Sequence, residues 1–177
     1  MEPPEVVNAG ELVLKRWEPA WAEEAAGAIQ ESLPELQPFM PWAHDGYDVE
    51  AARSYVELSA NNWAEGTAFN YALFTAAGEL VGSSGLMTRM GPGTLEIGYW
   101  IHSGHTGRGY ATAAVTALTR VALALPGIDR VAIRHDVANV ASGAVAAKAG
   151  FTEVERARRE PEAPGETGVD VVWERRR

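Results

Sequence analysis

The sequence predicts an α/β protein of the mixed-sheet (α+β) kind, with antiparallel N-terminal strands followed by a parallel pair. Three observations predict it. Between Phe69 and Ile101, apolar and β-branched runs are joined by short turns, as in a meander of hairpins. A glycine-rich turn, Gly104-His-Thr-Gly107-Arg-Gly109, then opens an alanine-rich segment of helical period from Tyr110 to Leu125. Beyond it lies one more strand-like run, Arg130 to Val137. A strand, a crossover helix and a second strand make a parallel pair, so the sheet changes character at the glycine turn. A ligand is expected there, at the strand's carboxyl end.

Taken in order, residues 1–10 read as a loose lead-in, and Leu12 to Trp17 as a strand with Leu12, Leu14 and Arg16 on one face. Glu18-Pro19 starts a helix, because proline suits the first helical position, with Trp21, Ala25 and Ala28 or Ile29 as its apolar stripe. Leu33 to Tyr47 holds three prolines and is not expected to form one regular element. Asp48 reads as the N-cap of a second helix to about Ala64, with Tyr55, Val56 and Leu58 facing inward. Phe69 to Thr75 is a strand, Ala76 to Glu79 a hairpin turn and Leu80 to Met90 its partner. Gly91-Pro-Gly93 turns into the Leu95 strand, where Ile97, Tyr99 and Ile101 alternate with Glu96, Gly98 and Trp100. Pro126-Gly127 stops the long helix. Ala141 to Ala149 is a short helix ended by Gly150, a natural C′ residue. Phe151 to Ala157 and Val169 to Glu174 are the last strands, around a turn from Pro161 to Gly168, and Arg175 to Arg177 reads as a solvated tail. No repeat or linker interrupts the chain, so one domain over 1–177 is expected.

Composition sets the outer limits. The chain has 177 residues, 46% hydrophobic and 22% charged, as an ordinary globular domain does. It has no cysteine, which excludes disulfides, thiolate metal sites and a cysteine nucleophile. A net charge of −9 argues against electrostatic binding of nucleic acid and is compatible with a cationic substrate such as an amine. The N-terminus lacks the pattern of a secretory leader, and no apolar run reaches the length of a membrane span. A cytoplasmic location and no membrane partner are the expectations.

The glycine turn is the chemical centre of this reading. The first turn of a helix has unpaired N–H groups and a partial positive charge, and glycines let phosphate oxygens approach the backbone. Arg108 adds positive charge at the rim. A purely structural turn is the plain alternative.

At these residues the sequence resembles the GNAT superfamily of acyl-CoA-dependent N-acetyltransferases, and within it the RimJ/RimL-type branch. Three separated pieces carry the resemblance. Glu96 to Val115, EIGYWIHSGHTGRGYATAAV, is similar to the family's coenzyme A pyrophosphate loop and its leading strand. Asn139 to Phe151 is similar to its asparagine-to-glycine-phenylalanine motif. Leu12 to Pro19 with Ser32 to Trp42 looks like that branch's first strand and its substrate-side loop. The superfamily often has Gln or Arg where Gly104 stands, so Gly104 is given no binding role.

The resemblance implies a GNAT-like fold, acetyl-CoA as cofactor, an amine as acceptor and, at family level, a homodimer. It implies cofactor contacts from Ile97, Tyr99, Trp100 and Ile101 on the strand, and from His105, Thr106, Gly107, Arg108, Gly109, Tyr110 and Ala111 at the turn. Asn139, Ser142 and Lys148 complete that set. Phe39, Met40 and Trp42, with Glu96, are the implied acceptor residues; core lids are the alternative for the first three. Acyl transfer to an amine needs the amine deprotonated, the oxyanion stabilised and the thiolate released. Glu96 is the candidate base, since partial burial would raise its pKa; a structural or substrate-orienting carboxylate is the other reading. A backbone N–H of the Glu96–Ile101 strand is the simplest oxyanion donor. Ser142 is the candidate hydrogen-bond donor to the leaving sulfur, against a serine that caps its helix. Many superfamily members carry a tyrosine seven residues after the motif asparagine, where this chain has Ala146. Asn139 either bonds the pantetheine or closes the turn before the helix. His102 and His105 lack a third ligand at metal-site spacing and read as loop or rim residues, so no metal is expected. His135 reads as structural.

A nicotinamide-dependent oxidoreductase fits poorly. Gly107-x-Gly109 is followed by Thr112 at the third small position, and hairpins rather than βαβ units precede it. A P-loop fails because no Gly-Lys-Ser/Thr follows. The expected function is therefore transfer of an acetyl group from acetyl-CoA to a primary amine by direct attack, with a protein N-terminal α-amine as the implied acceptor. The alternatives are a small amine or antibiotic as acceptor, or a non-catalytic acyl-CoA-binding module.

Overall fold

A computed structural model describes residues 1–177. Eight strands form one sheet in the order β1-β2-β3-β4-β5-β6-β8-β7. They are β1 (Val6–Ala9), β2 (Leu12–Arg16), β3 (Ala68–Thr75), β4 (Leu80–Met87), β5 (Thr94–Ile101), β6 (Arg130–Asp136), β7 (Thr152–Arg158) and β8 (Val169–Arg176). Every neighbouring pair is antiparallel except β5 and β6, which are parallel. The helices are α1 (Ala22–Leu36), α2 (Val49–Glu65), α3 (Tyr110–Ala124) and α4 (Val140–Lys148). The fold is the mixed sheet that the order of turns and the single crossover helix predict.

Two apolar layers hold it together. On one face, Val115 and Leu118 of α3 and Ala146 of α4 pack with Leu14, Phe69, Leu95, Ile97 and Ile133. On the other, Ala25 and Ile29 of α1 and Ala52 and Val56 of α2 pack with Phe74, Leu80 and Trp100. Because strand side chains alternate, β5 contributes Ile97 to the first layer and Trp100 to the second. Local signals set the helix ends: Asp48 Oδ1 accepts the N–H of Ala51 at 2.9 Å, and Gly66 ends α2 at φ 74°.

Five expectations are corrected. The lead-in is not loose: Val7 and Ala9 are buried, and β1 pairs with β2. Ahead of it, the Tyr71 hydroxyl donates to the Pro4 carbonyl at 2.7 Å and Trp63 Nε1 donates to Glu2 at 3.0 Å. The first helix begins with a short 3-10 turn, Pro19–Trp21, and α1 continues through Pro34 to Leu36. A proline there removes one backbone hydrogen bond, and burial of Leu36 holds the last turn in place. Leu58 is exposed, while Val56 takes the inward position. The C-terminal arginines are exposed, as a solvated segment is, but they do not form a tail. β8 runs to Arg176, and the Arg177 guanidinium donates to the carbonyls of Leu123, Leu125 and Ile128, at the C-terminal end of α3. Strand β4 also stops at Met87, three residues short of the expected Met90.

Candidate active site

The parallel strands β5 and β6 pair only over Thr94–Glu96 and Arg130–Ala132. Strand β5 then runs on to Ile101 and β6 to Asp136 without pairing to each other. The sheet opens into a wedge whose walls carry backbone groups not used by that ladder, and such groups seek partners. Both helices that follow these strands, α3 and α4, begin at the open end.

The glycine turn lies at the mouth. Gly107 and Gly109 have φ of 77° and 78°, in the left-handed region that only glycine adopts readily. Gly109 is the N-cap of α3 and supplies no side-chain cap, so the first N–H groups of α3 keep their capacity for an anion. The turn is anchored from far away in the chain. The Ser103 N–H donates to Ser32 Oγ at 2.9 Å, His102 Nε2 meets Glu31 at 2.7 Å, and His105 Nε2 meets Glu79 at 3.1 Å. Arg108 then donates to His105 Nδ1 at 3.1 Å, and the His105 ring stacks on Tyr110. Each histidine thus serves a separate carboxylate. Glu31, Ser32 and Glu79 carry no local signal that would tie them to a loop beginning at residue 103. Beside the turn, a groove of about 490 Å³ runs along α3 between Asn8 and Lys148, with Thr112 and Arg120 in its lining. Lys148 therefore stands close to the loop, and Arg120 is a second cation that sequence reasoning missed.

Asn139 and Ser142 come together at the start of α4. Asn139 Oδ1 caps the helix by accepting the Ser142 N–H at 3.4 Å. The Ser142 hydroxyl does not cap; it lies 3.2 Å from the Tyr99 hydroxyl. Nearby, Trp173 Nε1 donates to His135 Nε2 at 2.9 Å. Indole can only donate, so Nδ1 of His135 carries the ring proton and donates to the Asp136 carbonyl at 2.7 Å. His135 is structural, as its sequence setting suggested.

Glu96 is corrected. Its side chain is 3% exposed and lies between two guanidinium groups. Arg89 Nε and Nη2 donate to it at 2.6 and 3.0 Å, and Arg134 Nε and Nη2 at 3.2 and 3.1 Å. Burial alone would raise its pKa, but the hydrogen bonds and charges of Arg89 and Arg134 together outweigh burial and hold it below the usual carboxylate range. The expectation of a raised pKa fails because the partners of a buried carboxylate count as much as its burial. Glu96 ties β5 and β6 to the loop after β4, and its lowered pKa makes it a weaker base than a free carboxylate.

The acceptor candidates lie on the face opposite Tyr99. Trp42 is 39% exposed, its ring 5.7 Å from Tyr47 and 6.3 Å from Trp100. Met40 packs into the same apolar layer, and Phe39 is half-buried beside it. The β7–β8 loop closes on this segment, with the Gly165 N–H donating to the Pro38 carbonyl at 2.8 Å. So the structure divides the candidates between the two faces of β5: Tyr99 and Ser142 on one, Glu96, Trp100 and Trp42 on the other.

Known proteins share this architecture. A RimL ribosomal-protein α-N-acetyltransferase solved with coenzyme A superposes with a TM-score of 0.88 at 22% identity, over 97% of this chain and 98% of that one. Mycobacterium smegmatis RimJ, solved with a CoA disulfide, gives 0.86 at 24% identity, over 99% and 90%. The microcin C7 self-immunity acetyltransferase MccE, solved with acetyl-CoA and AMP, gives 0.87 at 21% identity, over 95% and 93%. At such identities the likeness establishes the fold. No curated protein matches the chain. The family model for the acetyltransferase (GNAT) domain matches residues 11–152, from the start of the second strand to the strand after α4, and so takes in the wedge, the glycine turn and the Asn139 helix together. With that match over most of its length, this chain belongs to the GNAT acetyltransferase family.

Proposed function

We propose that this GNAT-family acetyltransferase, which uses acetyl-CoA as its donor, acetylates the α-amino group of a protein N-terminus. The observation that carries the reading is the wedge between β5 and β6 with the glycine turn at its mouth. Acetyl-CoA supplies a thioester carbonyl for the amine to attack and a thiolate to leave. The chain's residues bind and orient: N–H groups from Thr106 to Ala111, with Arg108, take the pyrophosphate, and Lys148 and Arg120 suit a further phosphate in the groove beside α3. The free edge of β5 from Ile97 to Ile101 offers N–H groups to the pantetheine and to the developing oxyanion. Ser142 reaches toward it from α4, its hydroxyl 3.2 Å from that of Tyr99, and Asn139 caps that helix.

The state of Glu96 supports the choice of amine. Tied between two arginines, Glu96 is a weaker base than a free carboxylate. A weakly basic acceptor then reacts best. An α-amine with a pKa near 7.8 is roughly a tenth neutral at pH 7, whereas a lysine amine near 10.4 is less than a thousandth neutral. The RimL neighbour, an acetyltransferase of ribosomal-protein α-amines, is consistent with this choice, and a ribosomal acceptor would put the reaction in the cytoplasm. A second reading has one observation of its own: half-exposed Trp42 beside Trp100 suits a small amine carrying a flat ring.

Thiol release from acetyl-CoA across a panel of acceptors tests both. Peptides with free Ser, Ala or Met N-termini are expected to turn over, and the same peptides with blocked N-termini are not, even when they contain lysine. Turnover confined to small ring-bearing amines would replace the acceptor class.

A further inference from the structure

We propose that Tyr99 is a positioning residue for the leaving group, donating its phenolic hydrogen to Ser142 so that the Ser142 hydroxyl points its own hydrogen at the departing sulfur. This rests on the acetyltransferase reading above.

The placement comes from topology. Tyr99 stands three residues beyond Glu96, the last residue of β5 that pairs with β6. Its side chain lies on the face covered by α3 and α4. Ser142 belongs to α4, the helix that follows β6. The 3.2 Å contact between their hydroxyls therefore spans the wedge, joining the element on one wall to the element on the other. Nothing else competes for the Ser142 oxygen, because Asn139 has taken the capping task and occupies the Ser142 N–H.

Chemistry assigns the direction. A hydroxyl has one hydrogen to give and two lone pairs to receive. The phenol is the more acidic of the two and is the better donor. Burial, offset in part by the Ser142 contact, moves the Tyr99 hydroxyl above the ordinary tyrosine range, so it keeps its hydrogen. A serine oxygen that accepts from a phenol becomes a stronger donor through its own hydrogen. In the transfer step the amine nitrogen bonds to the acetyl carbon and the carbon–sulfur bond breaks. The electron pair stays on sulfur, and the proton lost by nitrogen goes to solvent. A thiolate with a pKa near 8.5 needs stabilising rather than full protonation, and a strengthened hydrogen bond suffices.

The test is a double-mutant cycle with Tyr99→Phe and Ser142→Ala, read as kcat and as KM for acetyl-CoA with one acceptor peptide. Phenylalanine keeps the ring and its packing, and circular dichroism with a thermal melt checks each variant's fold. Tyr99→Phe is expected to lower kcat about tenfold, the worth of the one hydrogen bond that orients and strengthens the Ser142 donor. KM for acetyl-CoA stays within about twofold. In the Ser142→Ala background the same change is expected to cost almost nothing. An unchanged kcat, a loss of equal size in both backgrounds, or a rise in KM alone would overturn the proposal. A wild-type protein without turnover on any amine would remove the acetyltransferase reading itself, a result plainly different from an active wild type matched by an equally active Tyr99→Phe.

Discussion

At the scale of single residues, Glu96 shows how a side chain's partners decide its chemistry. Four hydrogen bonds from Arg89 and Arg134 make it an anchor. Glu96→Gln is expected to lower stability by about 2 kcal/mol, because two guanidiniums lose their counter-charge. That value stays moderate since the Arg89 side chain is 60% exposed and hydrates easily. The rising limb of the pH–rate profile should not move, because it belongs to the acceptor amine: activity climbs with pH as the α-amine loses its proton near pH 8. A limb that shifts or flattens in Glu96→Gln, with the acceptor unchanged, would restore Glu96 as the base. The sequence made the position of Glu96 legible, since period-two alternation puts it on the strand before the glycine turn. Its state was not legible. Arg134 is 38 residues away, and no local pattern joins it to Glu96. The Tyr99–Ser142 contact, 43 residues apart, was hidden for the same reason.

At the scale of elements, what could be read from sequence was whatever a local signal specifies. Asp48 capping α2, the positive-φ glycines of the turn and Gly150 after α4 each act within a few residues, and each sits where its chemistry predicts. Strand β1 was missed because Val6–Ala9 is too short to show a period, and what makes it a strand is pairing with β2. The β7–β8 loop was legible as a turn, but not its attachment. Asp136 at the end of β6 accepts the N–H groups of Ala138, Thr167 and Gly168 and the Thr167 hydroxyl. Burial opposes ionisation there, yet these four donors hold its pKa down to about 2. A carboxyl depressed in the folded state stabilises the fold above its unfolded pKa, near 3.9, and loses that contribution as pH falls toward the folded value. Stability should therefore decline from about pH 4 to about pH 2. Asp136→Asn, less stable throughout, should show a shallower decline in that window. Urea midpoints across the range decide it, and equal slopes in both proteins would mean that other carboxyls carry the acid sensitivity.

At the scale of the whole molecule, the two faces of the sheet carry different tasks, and β5 is the strand they share. The face under α3 and α4 carries the glycine turn, Ser142 and the groove with Lys148, while the face under α1 and α2 carries the aromatic acceptor candidates. The wedge is the place where groups on both faces can reach one bound molecule. That molecule would add contacts between the two walls of the wedge, which otherwise meet through the paired base of β5 and β6 and the Tyr99–Ser142 contact, so donor binding should stabilise the fold as a unit. A ligand at a hundred times its Kd adds about 2.7 kcal/mol. For a chain of this length that corresponds to roughly 5–10 °C in Tm. Coenzyme A is expected to give such a rise, and pantetheine, which lacks the pyrophosphate and adenosine, only a small part of it at the same concentration. Arg108→Ala should reduce the coenzyme A shift and leave the pantetheine shift alone, since Arg108 stands at the mouth of the wedge with the exposed turn. Equal shifts from coenzyme A and pantetheine would show that the glycine turn takes no phosphate and that the wedge alone holds the donor.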